Sequence, residues 1–248
     1  VENVLIRLGK FFFRYRNGVF PLVYICLVLF TRPGLFFGNA QLDRYACALG
    51  VLLTLVGQTF RMLVIGFAYV IRGGREGKVY AESLVRTGFY AHSRNPMYVG
   101  NYLILIGFLL LYGSLWGYVI VLPFFTLIYY TIVKNEESYL KERFGREYAE
   151  YAAKVNRFIP NFRGIKSSLS QYRYDGKEVL SKEYGTVALV LSGILALLIW
   201  KELIRFGYYQ HRGEIQIMLL MFTPIIIFYG MARLLKKTGR LQRKTSGQ

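Results

Sequence analysis

From Pro96 to Val133 the chain reads PMYVGNYLILIGFLLLYGSLWGYVIVLPFFTLIYYTIV. Two apolar stretches, Pro96–Leu111 and Trp116–Val133, are parted by the uncharged turn Tyr112-Gly-Ser-Leu-Trp116. Neither stretch carries an Asp, Glu, Lys or Arg. In lipid such runs are helical, because only a helix satisfies its backbone hydrogen bonds within its own segment. The short turn predicts a tight antiparallel hairpin whose two outer ends lie at one membrane face.

Further apolar segments lie outside this hairpin, at Val19–Phe30, Tyr45–Ile71, Tyr184–Trp200 and Ile215–Leu235. The first is short for a span. It either extends backward through Phe11–Phe13 or lies partly in the interface. The predicted fold is all-α: a polytopic membrane helical bundle of about six transmembrane segments with a cytoplasmic amphipathic helical segment. The expected organisation is a membrane core over 1–160, a polar cytoplasmic connection over 161–183, and a C-terminal helix pair with a basic tail over 184–248.

Composition supports a membrane protein. Of 248 residues, 54% are hydrophobic, more than a soluble domain of this size carries. The 21 Tyr and 19 Phe suit membrane–water interfaces, where an aromatic ring sits in apolar surroundings and a hydroxyl meets water. A formal charge of +18 beside apolar runs points to anionic lipid headgroups. No nucleic-acid recognition module or stacking platform accompanies it. Cys26 and Cys47 read as small buried hydrophobes, and His92 and His211 have no cysteine partners, so no metal is expected. The N-terminal apolar stretch is interrupted by Arg14 and Arg16 and lacks a small-residue cleavage site, so it does not read as a signal peptide.

Lys and Arg set the expected orientation. With both termini cytoplasmic, the N-terminus, 72–95, 134–183 and the chain from Arg233 onward carry 26 of the 32 basic residues, against 5 on the opposite side. Arg61 lies within the second span. An ionisable residue there faces protein or a water-filled cavity, either as a contact for a polar substrate group or paired within the bundle.

Two charged stretches flank the hairpin on the cytoplasmic side. The first is Arg86-Thr-Gly-Phe-Tyr-Ala-His-Ser-Arg-Asn-Pro-Met-Tyr-Val-Gly100. Ser93 or Asn95 can cap a helix whose first residue is Pro96. Its free N–H groups and Arg94 would favour a carboxylate or phosphate, unless Arg94 merely snorkels at a helix start. His92 reads as an exposed loop residue. The second stretch runs from Glu136 to Pro160 and opens with the acid pair Glu136 and Glu137. These acids either pair with Lys134 or Lys141, or bond a ligand or Arg94. Leu140, Phe144, Tyr148, Tyr151 and Val155 share one helical face, and Gly145 can kink that helix. An amphipathic helix lying on the membrane and a lid over a pocket both fit this spacing.

Gly-Phe-Tyr-x-x-x-Arg-Asn-Pro-Met-Tyr-Val-Gly, followed by Glu-Glu-x-x-Leu-x-x-x-Phe-Gly-x-x-Tyr-x-x-Tyr-x-x-x-Val-x-x-Phe-Ile-Pro, resembles the isoprenylcysteine carboxyl methyltransferase family. It is also similar to the wider group containing phospholipid N-methyltransferases. The resemblance covers about residues 45–160. It implies an integral membrane enzyme that uses S-adenosylmethionine and takes a lipophilic or lipid acceptor from the bilayer. It also implies that Tyr90, Arg94, Asn95, Tyr98 and Gly100 line the cofactor cavity, that Glu136 and Glu137 give it polar contacts, and that Tyr148 and Tyr151 close it. Arg94, Glu136 and Glu137 are the expected catalytic residues, with Arg61 as a substrate contact.

Two departures bear on the acceptor. Asn95 stands where the family usually has His, and Ile132 stands where many of its carboxyl methyltransferases have Arg. They separate the chain from a standard prenylcysteine enzyme. Two other classes stay open at this level: an NADPH-dependent membrane reductase of the sterol-reductase type, and a non-catalytic protein that binds a lipid or partner.

Overall fold

The computed structural model describes residues 2–67, 78–170 and 172–241. The end of the second expected span, from residue 68 to Ile71, and most of the basic tail lie outside the described residues. The described chain is helical: α1 Glu2–Phe30, α2 Ala40–Gly66, α3 Pro96–Tyr112, α4 Leu122–Lys154, α5 Ile165–Ser170, α6 Gly176–Gln210, α7 Arg212–Leu220 and α8 Phe222–Lys237. A π-helical turn, Gly117–Val121, leads directly into α4.

Among the described residues, five helical segments are long and apolar enough to cross a membrane: α1, α2, Gly117–Lys154, α6 and the α7–α8 run. The sixth expected span is the shorter apolar α3. Leu22, Leu29, Ile226 and Leu234 are exposed, as helices facing lipid require. The first span extends back well beyond Phe11 as one continuous helix.

The chain forms two compact units that do not follow its linear order. The first comprises Val1–Arg32, Phe67–Val99 and Leu115–Tyr172. Here α1 packs along α4. A Cβ on Gly9 would lie 2.0 Å from the Thr131 carbonyl oxygen, so only glycine permits this approach. Phe13, Ile128 and Ile132 form the buried core, with Phe20, Val79 and Tyr98 against it.

The second unit comprises Pro33–Gly66, Gly100–Ser114 and Arg173–Gln248. Small residues let α2 and α3 touch backbone to backbone. A Cβ on Gly57 would meet the Gly100 carbonyl at 2.7 Å, and one on Gly107 the Thr54 hydroxyl at 2.2 Å. Leu111, Val190 and Ile194 form the apolar core of this unit. The buried charged side chains are paired: Arg61 with Glu183, and Asp43 with Lys201 and Arg205. The Asp43 pairs join α2 to α6, as does Arg61 with Glu183.

Candidate active site

The site begins where the first unit brings both charged stretches together. Pro96 is the first residue of α3, as its fixed φ and missing N–H favour. The loop before it is fastened to the chain that follows α4. Arg94 N–H donates to the Asn156 carbonyl at 2.8 Å, and Asn161 N–H to the His92 carbonyl at 2.9 Å. Ser93 Oγ donates to the Phe158 carbonyl at 3.0 Å, and Asn95 Nδ2 to the Arg157 carbonyl at 3.1 Å. Residues 156–161 thus lie against 92–95 as a backbone-bonded strap.

His92 corrects the sequence expectation. It is buried, with one ring nitrogen on the Asn161 carbonyl and the other 3.0 Å from Ser168 Oγ in α5. The strap and α5 cover it from both sides, which no local feature of the sequence announces.

The acid pair is split into two environments. Neither pairing expected with Lys134 or Lys141 occurs: Lys134 lies over the Tyr130 ring. Glu137 instead meets Arg94 at 3.4 Å and Arg157 at 2.8 Å. Arg157 Nε adds contacts of 3.0 and 3.1 Å to the two Glu137 oxygens. The hydrogen bonds to Glu137 hold the Arg157 guanidinium pKa above its ordinary value. Arg157 occupies an unspecified position of the second motif, so its part in this cluster was not legible from spacing.

Glu136 makes a different contact. It accepts from the Tyr98 hydroxyl at 3.0 Å. Glu136 lies beyond Val133, outside the apolar stretch of α4. Burial pushes its carboxyl from 4.5 up to about 7, opposed by the Tyr98 hydrogen bond and the charge of Arg16 on α1.

Gly145 breaks α4 with φ 50°, as its position predicted. The helix beyond it turns Tyr148 and Tyr151 inward, and both are buried. Tyr151 donates to the Tyr90 carbonyl at 2.7 Å. Burial pushes the Tyr148 phenol up to about 12, with Glu137 adding to the rise and Arg94 and Arg157 opposing it. Val155, expected on the same helical face, is extended and follows the helix end. Two polar atoms in this cluster, Arg94 Nε and the Tyr148 hydroxyl, are shielded from solvent without an aligned hydrogen-bond partner, although the Arg94 side chain lies close enough to favour the Tyr148 phenolate. Buried polar groups are normally bonded, so both have capacity for a further polar group.

Tyr90, Arg94, Asn95, Tyr98, Glu136, Glu137, Tyr148 and Tyr151 therefore share the first unit. Gly100 and Arg61 lie in the second. A Cβ on Gly100 would fall 2.6 Å from Arg61 Cγ and 2.9 Å from the Gly57 carbonyl, so Gly100 serves the packing of α3 on α2. The Arg61 guanidinium bonds both Glu183 oxygens, at 2.7 and 3.2 Å, and also Asn101. Of the two roles open to Arg61, pairing within the bundle is the one observed.

The fold is that of a polytopic membrane protein, and this polar cluster lies within its first unit. A family model described as phospholipid methyltransferase matches residues 45–147. The chain is 29% identical to the protein-S-isoprenylcysteine O-methyltransferase of Saccharomyces cerevisiae, over 64% of this chain and 67% of that protein. It is 30% identical to the cobalt-zinc-cadmium resistance protein CzcN of Cupriavidus metallidurans, over 62% of this chain and 67% of that one. Identity to the protein-S-isoprenylcysteine O-methyltransferase of Rattus norvegicus is 27%, over 56% of this chain and 50% of the rat protein. No solved structure matches the chain significantly. The chain belongs to the phospholipid methyltransferase-like family that includes the isoprenylcysteine O-methyltransferases, and it is an integral membrane methyltransferase.

Proposed function

We propose that the chain transfers a methyl group from S-adenosylmethionine to a lipophilic or lipid acceptor at the cytoplasmic face of the membrane. The observation that carries this reading is the buried cluster of Arg94, Tyr148 and Glu137, in which Arg94 Nε and the Tyr148 hydroxyl lack an aligned hydrogen-bond partner. Such a set fits a zwitterionic amino-acid group: guanidinium donors for a carboxylate, a carboxylate for an ammonium. S-adenosylmethionine carries that group and, when bound, supplies a sulfonium-activated methyl.

This chain's residues then bind, orient and move one proton. Arg94 and Glu137 hold the amino-acid end, with Arg157 setting the Glu137 carboxylate. Tyr148 and Tyr151, brought inward by the Gly145 break, exclude water. Tyr90 and Asn95 fix the frame by bonding the helix and the strap. Orientation of this kind supplies up to roughly 7–11 kcal/mol in favourable cases. Of the two acids, Glu136 is the better base, because it accepts from the neutral Tyr98 hydroxyl whereas Glu137 is held by two guanidinium groups. A carboxyl that titrates near neutrality suits proton removal from an amine or thiol acceptor. A carboxylate acceptor would need no base.

The yeast and rat relatives are named for an isoprenylated cysteine. Here Ile132 is buried in apolar surroundings with Phe13 and Ile128, which offer no cation to an acceptor carboxylate. The Arg61 charge is matched by Glu183. The proposed acceptor is therefore defined by its lipophilic body. The basic asymmetry supports both termini being cytoplasmic and contact with anionic lipids on that side.

The test is thermal stabilisation of the purified protein by S-adenosylhomocysteine and, separately, by NADPH. A ligand that binds the folded state raises the melting temperature. A rise with S-adenosylhomocysteine alone is expected. A response only to NADPH, or to neither, would remove this cofactor assignment.

A further inference from the structure

A second cluster of ligating side chains lies at the α6–α7 corner, wholly within the second unit. Glu202 sits in the last turns of α6, His211 is the residue between the helices, and Glu214 lies in the first turn of α7. Gly207 makes this corner. Its φ of 73° and ψ of 167° turn the chain, and the left-handed region is open to glycine at little cost. The turn brings His211 back to Glu202, nine positions earlier. The imidazole stacks on Phe206, with ring centroids 4.4 Å apart and planes 18° apart, which fixes its direction.

His211 Nδ1 lies 2.6 Å from Glu214 Oε2 and 3.2 Å from Glu202 Oε2. One N–H cannot serve two carboxylates well. Glu202 Oε2 shows the consequence: it is shielded from solvent and has no aligned hydrogen-bond donor. The neighbouring cations do not resolve this, because Lys201 and Arg205 are both bonded to Asp43. Two acids and a ring nitrogen are thus gathered where a single shared proton satisfies only one of them.

We infer that Glu202, His211 and Glu214 form a binding site for a first-row divalent cation of the Zn²⁺ type. One ligand atom from each lies within 4.8 Å of the others. A cation bonded to nitrogen and oxygen at about 2.0–2.2 Å would draw them in by modest side-chain rotation. It would replace the shared proton at Nδ1 and bond all three groups at once. An imidazole with two carboxylates favours a borderline ion such as Zn²⁺ over Mg²⁺, which prefers oxygen ligands and keeps its waters. The site is separate in the chain from the residues assigned to methyl transfer and does not depend on that assignment.

The test is calorimetric titration of the full-length, untagged protein in lipid nanodiscs with ZnCl₂ and, separately, MgCl₂. His92, the other histidine, has both ring nitrogens engaged and is buried, so it does not compete. The expected result is one micromolar Zn²⁺ site and no comparable Mg²⁺ heat. His211→Ala and Glu202→Gln should each weaken Zn²⁺ binding at least tenfold. The absence of a Zn²⁺ site in the unmodified protein would overturn the inference. So would affinity unchanged in both variants, or lost in His211→Ala but kept in Glu202→Gln, which marks a lone imidazole.

Discussion

Arg157 grips both oxygens of Glu137, with Nη2 at 2.8 Å and Nε at 3.0 and 3.1 Å. A planar guanidinium matches a carboxylate in this way, and an ammonium does not. The contact joins the strap after α4 to the acid pair, so the same carboxylate that faces Arg94 is held from its other side. It also explains why the two neighbouring acids differ: Glu137 is flanked by two guanidinium groups, and Glu136 is half-buried beside a phenol.

Arg157→Lys should therefore cost more than the loss of no net charge suggests. Hydrogen bonds to charged groups contribute about 1.5–3 kcal/mol each, and this variant forfeits the fork. S-adenosylhomocysteine stabilisation should shrink, while Arg94→Ala should abolish it with the helical circular dichroism intact. Wild-type ligand shifts in both variants would take Arg94 and Arg157 out of the site.

Glu136 gives a pH prediction with a definite sign. Its folded pKa is about 7 against an ordinary 4.5, so the folded state holds this proton more tightly than the unfolded chain. The contribution to stability is present below about 4.5 and is lost as pH rises through 7. Each pK unit corresponds to about 1.4 kcal/mol, so roughly 3 kcal/mol bounds the effect. Glu136→Gln keeps an oxygen acceptor for Tyr98 and removes the ionisation. It should melt higher than wild type at pH 8 and nearly equal to it at pH 4.5. Methyl transfer to an amine should fall. Parallel melting curves at both pH values would show that Glu136 does not titrate in this range.

Arg61 and Glu183 test the second unit. Removing one partner of a buried pair leaves an uncompensated charge, at a cost of about 3–5 kcal/mol. Arg61→Met alone should destabilise strongly, and Arg61→Met with Glu183→Met should recover most of the loss. A double variant no more stable than Arg61→Met would mean that the pair is not coupled.

Gly107 tests the α2–α3 contact. Adding Cβ puts an atom 2.2 Å from Thr54 Oγ1 and 2.6 Å from the Gly50 carbonyl, and backbone cannot move aside easily. Gly107→Val should cost about 1–3 kcal/mol or more, measured by thermal melting. Gly185→Ala, where nothing lies within 4 Å, should be neutral or slightly stabilising. Equal melting temperatures for the two variants would contradict the close helix approach.

The six apolar segments were legible because hydropathy and length carry that signal directly. Pro96 at the start of α3 and Gly145 at the break in α4 were legible because both residues have special backbone preferences. The burial of His92 is not legible in the sequence, since its cover comes from Asn161 and Ser168, far along the chain. Arg157 carried no periodic signal, and its role follows from a strap that folds back on residues 92–95.

The sequence by itself determined a helical membrane protein, because lipid leaves the backbone no other local way to satisfy its hydrogen bonds. It also placed an arginine and an acid pair at the same end of neighbouring helices. Only the tertiary structure decided how those charges are shared. It gave Glu137 to Arg94 and Arg157, left Glu136 with Tyr98, and matched Arg61 to a glutamate 122 positions away. Such choices depend on distance and burial, and a buried charge takes whichever partner the packed helices bring within reach.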